Sequence, residues 1–399
     1  MFDTWNAEYY IKKGRNDRLK EQKKYCIFAA HYLPHLGGIE RYVYNMSETL
    51  MKQGDEVVIV TSKVGELSSY EEINNVPVYR LPCYELLDGR YPVVKFNNET
   101  RKIFRILKSK RFDVVIINAR FYWHSIFAAI FAKKNNIPCI VLEHGSSHLT
   151  IHSKLWDMVG RVYEHIHTWV LKRVCNNFYG TCEVCNEWLA HFHIKSRGVI
   201  YNAINLDEVN RSLTVKGHYQ NHYCIPENAI VVAFTGRLLE EKGLLSLIKA
   251  VEEINEVSPR IYLFIAGKGD LEKEVEKRVS EHIIYLGYLE HEEIFRLLDE
   301  SDIYCLPSDS EAFCGGVLEA IACKCYIITT SQGGIKELLT DDSMGTIIDC
   351  NDVNTVRNAI EWCMKNREMC NKAVEKAYDK LVNNFTWDRV VGKMRNLKF

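Results

Sequence analysis

"IVVAFTGRLLEEKG", residues 230–243, decides the fold. An unbroken apolar run ends at Thr235-Gly236, a loop carrying Arg237 and Lys242 follows, and Gly243 precedes a segment of helical periodicity. A strand with no polar alternation is buried on both faces, and a helix after it marks a parallel, doubly wound sheet. The same unit recurs downstream at "IYLFIAG" (261–267), "IIYLG" (283–287), "DIYCLPS" (302–308) and "YIITTS" (326–331). Upstream it occurs at "YCIFAAH" (25–31), "EVVIVTS" (56–62), "DVVIINA" (113–119) and "PCIVLEH" (138–144), with weaker runs at "NNFYGT" (176–181) and "GVIYN" (198–202). The polar, proline-bearing stretch "LTVKGHYQNHYCIPENA" (213–229) separates the two series. The fold class is therefore α/β, with two Rossmann-like domains, residues 1–205 and 206–385, facing across a cleft.

A chain of 399 residues suits two domains of this size. The N-terminus is polar and charged, so no secretory signal is expected, and the longest mostly apolar run, "FYWHSIFAAIFA" (121–132), is short for a membrane span. Fourteen cysteines without such a signal read as reduced thiols, so a cytoplasmic protein is expected. Residues 1–200 hold 28 Lys+Arg against 20 Asp+Glu, whereas the remainder holds 23 against 32. The segment "RKIFRILKSKR" (101–111) is basic with apolar residues between the charges. It reads either as a solvated helix face beside a core strand or as a piece lying on an anionic membrane surface. Nucleic acid is excluded as a partner by the modest positive charge and the lack of a binding motif.

In doubly wound folds, ligands gather beyond the carboxyl ends of the strands, so the loops there carry the chemistry. Gly37-Gly38 in "HYLPHLGGIERYV" opens a helix, where free N–H groups suit an anion. His144 ends a strand in "VLEHGSSH" and offers a donor or acceptor to a substrate in the cleft. Arg237 and Lys242 suit a diphosphate, the first by bidentate hydrogen bonding and the second as a point charge. In "SDSEAFCGGVLEA" (308–320), Gly315-Gly316 lead into a helix flanked by Glu311 and Glu319. A carboxylate accepts at two oxygens and recognises a vicinal diol, so Glu319 suits a ribose and Glu311 a sugar beyond the phosphates. The spacing alone says nothing, because Glu40/Glu48 and Glu292/Glu300 repeat it.

"LGGIERYV", "EHG", "TGRLLEEKG" and "SEAFCGGVLEA", in this order, resemble retaining glycosyltransferases of the GT-B fold, glycosyltransferase family 4 of the E-x7-E type in particular. The hinge-like "VIYNAIN" (199–205), "AGKGDLEKEVE" (266–276) and "FTWDRVVGKM" (385–394) add to a resemblance spanning residues 25–399. It implies that Glu311 holds the donor sugar, Glu319 the ribose, and Arg237, Lys242 and the Gly38 backbone the diphosphate. It further implies a base-binding edge at Tyr288 and Leu289, a donor loop through Phe313, Cys314 and Gly315, and His144 beside the reacting sugar. The final segment, 386–399, would return to the first domain. Cys314 stands where the family often has Gly or Pro, and "YNAIN" replaces the more usual Asn-Gly-Ile-Asp.

The implied reaction moves a sugar from a nucleotide-diphosphate sugar, the co-substrate, to a hydroxyl of a glycan or lipid-linked acceptor. UDP is the expected nucleotide and bacterial surface polysaccharide the expected product. No D-x-D occurs in the chain, so the reading requires no metal and no further cofactor. A nucleotide-sugar epimerase of the same architecture and a non-catalytic nucleotide-sugar-binding subunit are the competing readings. A hydrolase acid/base pair at Glu311 and Glu319 is disfavoured by the neighbouring cations. Cys182, Cys185, His191 and His193 invite a zinc reading, but four ligands do not converge from one straight helix. Trp156, Trp169 and segment 101–111 fit peripheral contact with an anionic membrane.

Overall fold

The computed structural model describes residues 22–35, 37–148, 153–213 and 217–398. The polar N-terminal stretch, where no signal sequence was expected, lies outside the described residues. The first sheet comprises β1 (Lys24–Phe28), β2 (Glu56–Lys63), β3 (Tyr70–Ile73), β4 (Val76–Leu86), β5 (Tyr91–Val94), β6 (Val114–Asn118), β7 (Cys139–Glu143) and β8 (Phe178–Gly180). Its order is β3-β4-β2-β1-β6-β7-β8, with β5 paired to β4. The second comprises β9 (Ile230–Thr235), β10 (Ile261–Ala266), β11 (Ile283–Gly287), β12 (Ile303–Leu306), β13 (Tyr326–Thr330) and β14 (Thr346–Ile348), in order β11-β10-β9-β12-β13-β14. All pairs in the second sheet are parallel. In register, β9 sets Ile230 beside Ile261 of β10 and Val232 beside Ile303 of β12. Both sheets reverse strand order at their first strand, so a crevice opens between β1 and β6 and another between β9 and β12.

Two expectations are corrected. β4 joins the first sheet parallel to β2, and β3 and β5 pair antiparallel to β4; none of the three was expected from the sequence. Pro77 and Pro82 interrupt the β4 pattern, and such residues argue against a strand when read locally. Conversely, "GVIYN" forms no strand; only Val199 makes a single bridge to Gly180. The segment expected at 101–111 is the helix Asn98–Ser109, capped by the Asn97 side chain accepting from the Thr100 N–H. Its Ile103 and Leu107 are buried in the core against β1 and β6, so its apolar side is not free for a membrane.

The chain passes between the sheets twice, and the two passages run side by side. The Ile204 N–H donates to the Phe385 carbonyl at 2.8 Å, and the Trp387 N–H donates to the Ile204 carbonyl at 3.2 Å. The helix Trp387–Arg395 then buries Trp387, Val390, Val391 and Met394 among Tyr42, Val43, Met46 and Leu50 of the helix Gly38–Lys52. Each such side chain contributes about 2 kcal/mol on burial. Arg395 adds an ion pair to the buried Asp55 at 3.2 Å. The last described helix therefore packs on the first domain.

Candidate active site

A cavity of about 570 Å³ lies between the two sheets' loops. The first domain contributes Gly37, Gly38, Arg41, Tyr42 and Asn45; the passage contributes Asn202, Ala203, Ile204 and Asn205. The second domain contributes Arg237, Lys268, Tyr288, Leu289, His291, Gly315, Gly316 and Glu319. Arg237 leaves the end of β9, at the crevice beside β12, and makes no ion pair among the described residues. Glycine is required twice in this wall. A Cβ on Gly267 (φ 142°) would lie 1.8 Å from the Gly236 carbonyl oxygen, so only glycine lets the ends of β9 and β10 close. One on Gly316 would lie 2.3 Å from the Tyr304 hydroxyl, which donates to the Thr235 carbonyl at 3.1 Å. The helix Gly315–Ala322 thus starts in contact with the strand ends, its first N–H groups at the cavity. Cys314 caps it in the left-handed region (φ 55°), where a side chain costs about 1 kcal/mol against glycine.

Glu319 is fixed by a residue that the sequence did not flag. His291 binds Glu319 Oε1 through Nε2 and Glu208 Oε1 through Nδ1, both at 2.9 Å. Both partners are acceptors, so both ring nitrogens donate and the ring is an imidazolium. Burial alone would lower its pKa, but hydrogen bonds from the two carboxylates outweigh it and raise the value to about 9. Burial opposes the ionised form of Glu208, and His291 overcomes that to hold its carboxyl below the usual value.

Glu311 and Lys242 meet each other and do not line the cavity. Lys242 Nζ lies 2.6 Å from Glu311 Oε1 and 2.9 Å from the Ser310 carbonyl. The loop between them is tied down further: the Gly334 N–H donates to the Ala312 carbonyl at 2.7 Å, and the Asp309 N–H to the Glu241 carbonyl at 2.7 Å. Lys242 is thus engaged with Glu311, whereas Arg237, Lys268 and Arg41 join the His291 imidazolium at the cavity wall. Phe313 packs away from the cavity against Tyr201 and Phe385, at ring distances of 5.9 Å each.

His144 sits behind the wall, edge-on to Tyr42 at 4.8 Å. Its Nε2 is 3.1 Å from Asn118 Oδ1, and Asn118 Nδ2 donates to the Phe28 carbonyl at 3.2 Å. The second bond fixes the amide, so Nε2 of His144 must be the donor and Nδ1 the acceptor. Burial lowers its pKa to about 3, leaving the ring neutral. The preceding Glu143 orients the loop by accepting from the His144 and Gly145 N–H groups at 3.1 and 3.0 Å. It pairs with the fully buried Arg120 at 2.7 Å.

The two cysteines and His191, weighed and set aside as zinc ligands in the sequence, lie in two separate groups. Cys182 and Cys185 approach each other, with sulfurs 3.3 Å apart, and are wholly buried. His191 lies with His148 and His165 instead.

Two family models match the chain: one described as Glycosyltransferase Family 4, over residues 36–208, and one as Glycosyl transferases group 1, over residues 217–380. An uncharacterized glycosyltransferase of Methanocaldococcus jannaschii is 25% identical over 387 residues, covering 94% of this chain and 97% of that protein. The UDP-Gal:alpha-D-GlcNAc-diphosphoundecaprenol alpha-1,3-galactosyltransferase of Escherichia coli is 22% identical over 378 residues, covering 92% and 94%. The HepE protein of Anabaena, solved in complex with UDP, superposes with a TM-score of 0.72 at 15% identity, covering 94% of this chain and 98% of that one. The two facing sheets are those of a GT-B glycosyltransferase. Within that class, the chain belongs to the family 4 type.

Proposed function

We propose that this glycosyltransferase moves a hexose from a UDP-sugar, with retention of anomeric configuration, to a hydroxyl of a lipid-linked glycan. One juxtaposition carries the reading. Arg237, the start of the helix Gly315–Ala322 and Glu319 all border one cavity at the crevice between β9 and β12. The diphosphate lies against Arg237, the helix start and the Gly38 backbone, which stabilise the negative charge left when the glycosyl–phosphate bond breaks. Glu319 accepts both ribose hydroxyls, and the backbone at Tyr288 and Leu289 borders the base. Glu311, set by Lys242, takes hydroxyls of the donor sugar, and Lys242 adds its charge to the leaving group's side. His144 is an acceptor through Nδ1, not an acid. This chemistry needs no metal at the diphosphate, and the only co-substrate is the nucleotide-sugar.

The acceptor side has its own cavity of about 620 Å³, bordered by His31, His35, Glu40, Arg90 and Tyr122, which meets the donor cavity at Gly38. A lipid-linked acceptor is supported by the diphosphoundecaprenol-linked sugar in the name of the Escherichia coli relative and by the helix Lys154–Leu171. That helix turns Glu164, His167 and Thr168 inward and exposes Leu155, Val159, Val162, Ile166 and Trp169, one stripe at helical spacing. Arg173 stacks on Trp169 at 3.2 Å and places positive charge beside it. Among the described residues no helix is long and apolar enough to cross a membrane. A protein held peripherally at the cytoplasmic face, building surface polysaccharide, fits both features.

The experiment is transfer from a panel of nucleotide-sugars to an undecaprenyl-diphosphate-linked sugar in EDTA, with the product's anomeric configuration read by NMR. A retained linkage from a UDP-sugar is expected, and donor alone should stay unepimerised. Inversion, epimerised donor, abolition by EDTA or no turnover with any donor would each overturn the reading.

A further inference from the structure

We propose that His148, His165 and His191 form a divalent transition-metal site that takes Zn²⁺, outside the donor cleft. One ring nitrogen from each histidine lies within 4.8 Å of the other two. They come from separate elements: His148 from the loop leaving β7, His165 from the helix Lys154–Leu171, and His191 from the end of the helix Glu183–His191. None of the three borders the donor cavity.

The surroundings orient these rings. His148 Nδ1 is bound to the carboxylate of Glu164, itself buried, which leaves Nε2 as the ligand atom. A carboxylate on the far nitrogen is the usual second partner of a metal-bound imidazole, because it fixes the tautomer and strengthens the ligand. His191 lies flat on Trp188, with centroids 4.8 Å apart and an interplanar angle of 7°. His165 packs against Phe192 at 4.8 Å. Arg120 opposes a cation here, since its Nη2 is 4.0 Å from Glu164, but its Nε is engaged by Glu143 at 2.7 Å.

Three imidazoles select a borderline-soft ion over calcium or magnesium. Zinc–nitrogen bonds of 2.0–2.1 Å in a tetrahedron put ligand atoms about 3.4 Å apart. The ligand atoms must therefore close by up to about 1.4 Å, which the exposed His165 and His191 side chains can do by rotation. Water completes the coordination on the solvent side. Bound there, the ion staples the loop that begins at His144 to two helices. The buried Cys182 thiol instead points at the Ala312 carbonyl, 3.5 Å away, so the two cysteines stay outside this site.

The untagged full chain, stripped with EDTA and desalted, is titrated with ZnCl₂ and assayed for retained metal and melting temperature. One zinc per chain and a melting temperature that rises with zinc are expected, with both lost in the surface variant His165→Ala/His191→Ala. Glu164→Gln should weaken binding about 10-fold. Co²⁺ loading should show only the weak visible bands of a nitrogen–oxygen ligand set. No retained zinc, full retention by the double variant, or a cobalt–thiolate charge-transfer band would overturn the site.

Discussion

At Glu319 the decisive neighbour is His291. The imidazolium is bound on both sides by carboxylates at 2.9 Å, so it holds Glu319 in one orientation before any nucleotide arrives. Removing a charged hydrogen bond costs about 1.5–3 kcal/mol. His291→Gln should therefore raise the donor KM about 10-fold while leaving kcat within about 2-fold. The pH dependence has a definite sign. The folded value of about 9 exceeds the ordinary 6.5, so the clamp is complete below pH 6.5 and fails as pH rises through 9. Donor affinity should fall across that alkaline range in the wild type and stay flat in the Gln variant. Identical profiles would show that His291 does not set Glu319. The sequence offered no route to this pair, because His291 precedes Glu319 by a whole helix and strand and meets it only through the fold. Arg237 and the glycine pairs were legible, since a strand-end loop states its own position. The pairing of Lys242 with Glu311 was not, because charge type is visible in sequence and distance is not.

Among the elements, the helices at 98–109 and 154–171 bear on the proposed membrane contact, and their apolar sides face opposite ways. In the first, the sequence left open a solvated face beside a core strand or an interfacial helix, and Ile103 and Leu107 fill the core. In the second, Val162 and Ile166 are 56% and 59% exposed while Glu164 between them is buried. Periodicity shows that a helix has an apolar side; it does not show which side meets the protein. Val162→Asp/Ile166→Asp alters only exposed positions and should leave the melting temperature unchanged. It should weaken binding to phosphatidylglycerol-containing vesicles by at least about 10-fold. Wild-type binding should weaken in salt as lipid charge is screened. Equal binding by the variant would remove this helix from the membrane contact. Most strands were read correctly because a buried parallel strand is an unbroken apolar run; β4 escaped because Pro77 and Pro82 break that signature.

For the whole molecule, the two side-by-side passages at Ile204 and Phe385–Trp387 join the sheets at one edge. The cavity bordered by both domains lies against that edge, since Ala203, Ile204 and Asn205 border it too. The two-sheet plan was legible from the repeated strands, whereas the partners across the cleft, Arg41 and Asn45 from one side and Lys268 from the other, were set only by assembly. In the proposed function, the cleft grips a nucleoside diphosphate by Arg237 and Glu319 while Glu311 acts on the sugar alone. Calorimetric titration of UDP into the wild type and single Ala variants tests it most directly. Arg237→Ala and Glu319→Ala should each lose about 10-fold or more in affinity, while Glu311→Ala should bind UDP normally and fail to transfer. Wild-type affinity in Glu319→Ala, or a loss in Glu311→Ala equal to that of Arg237→Ala, would contradict it.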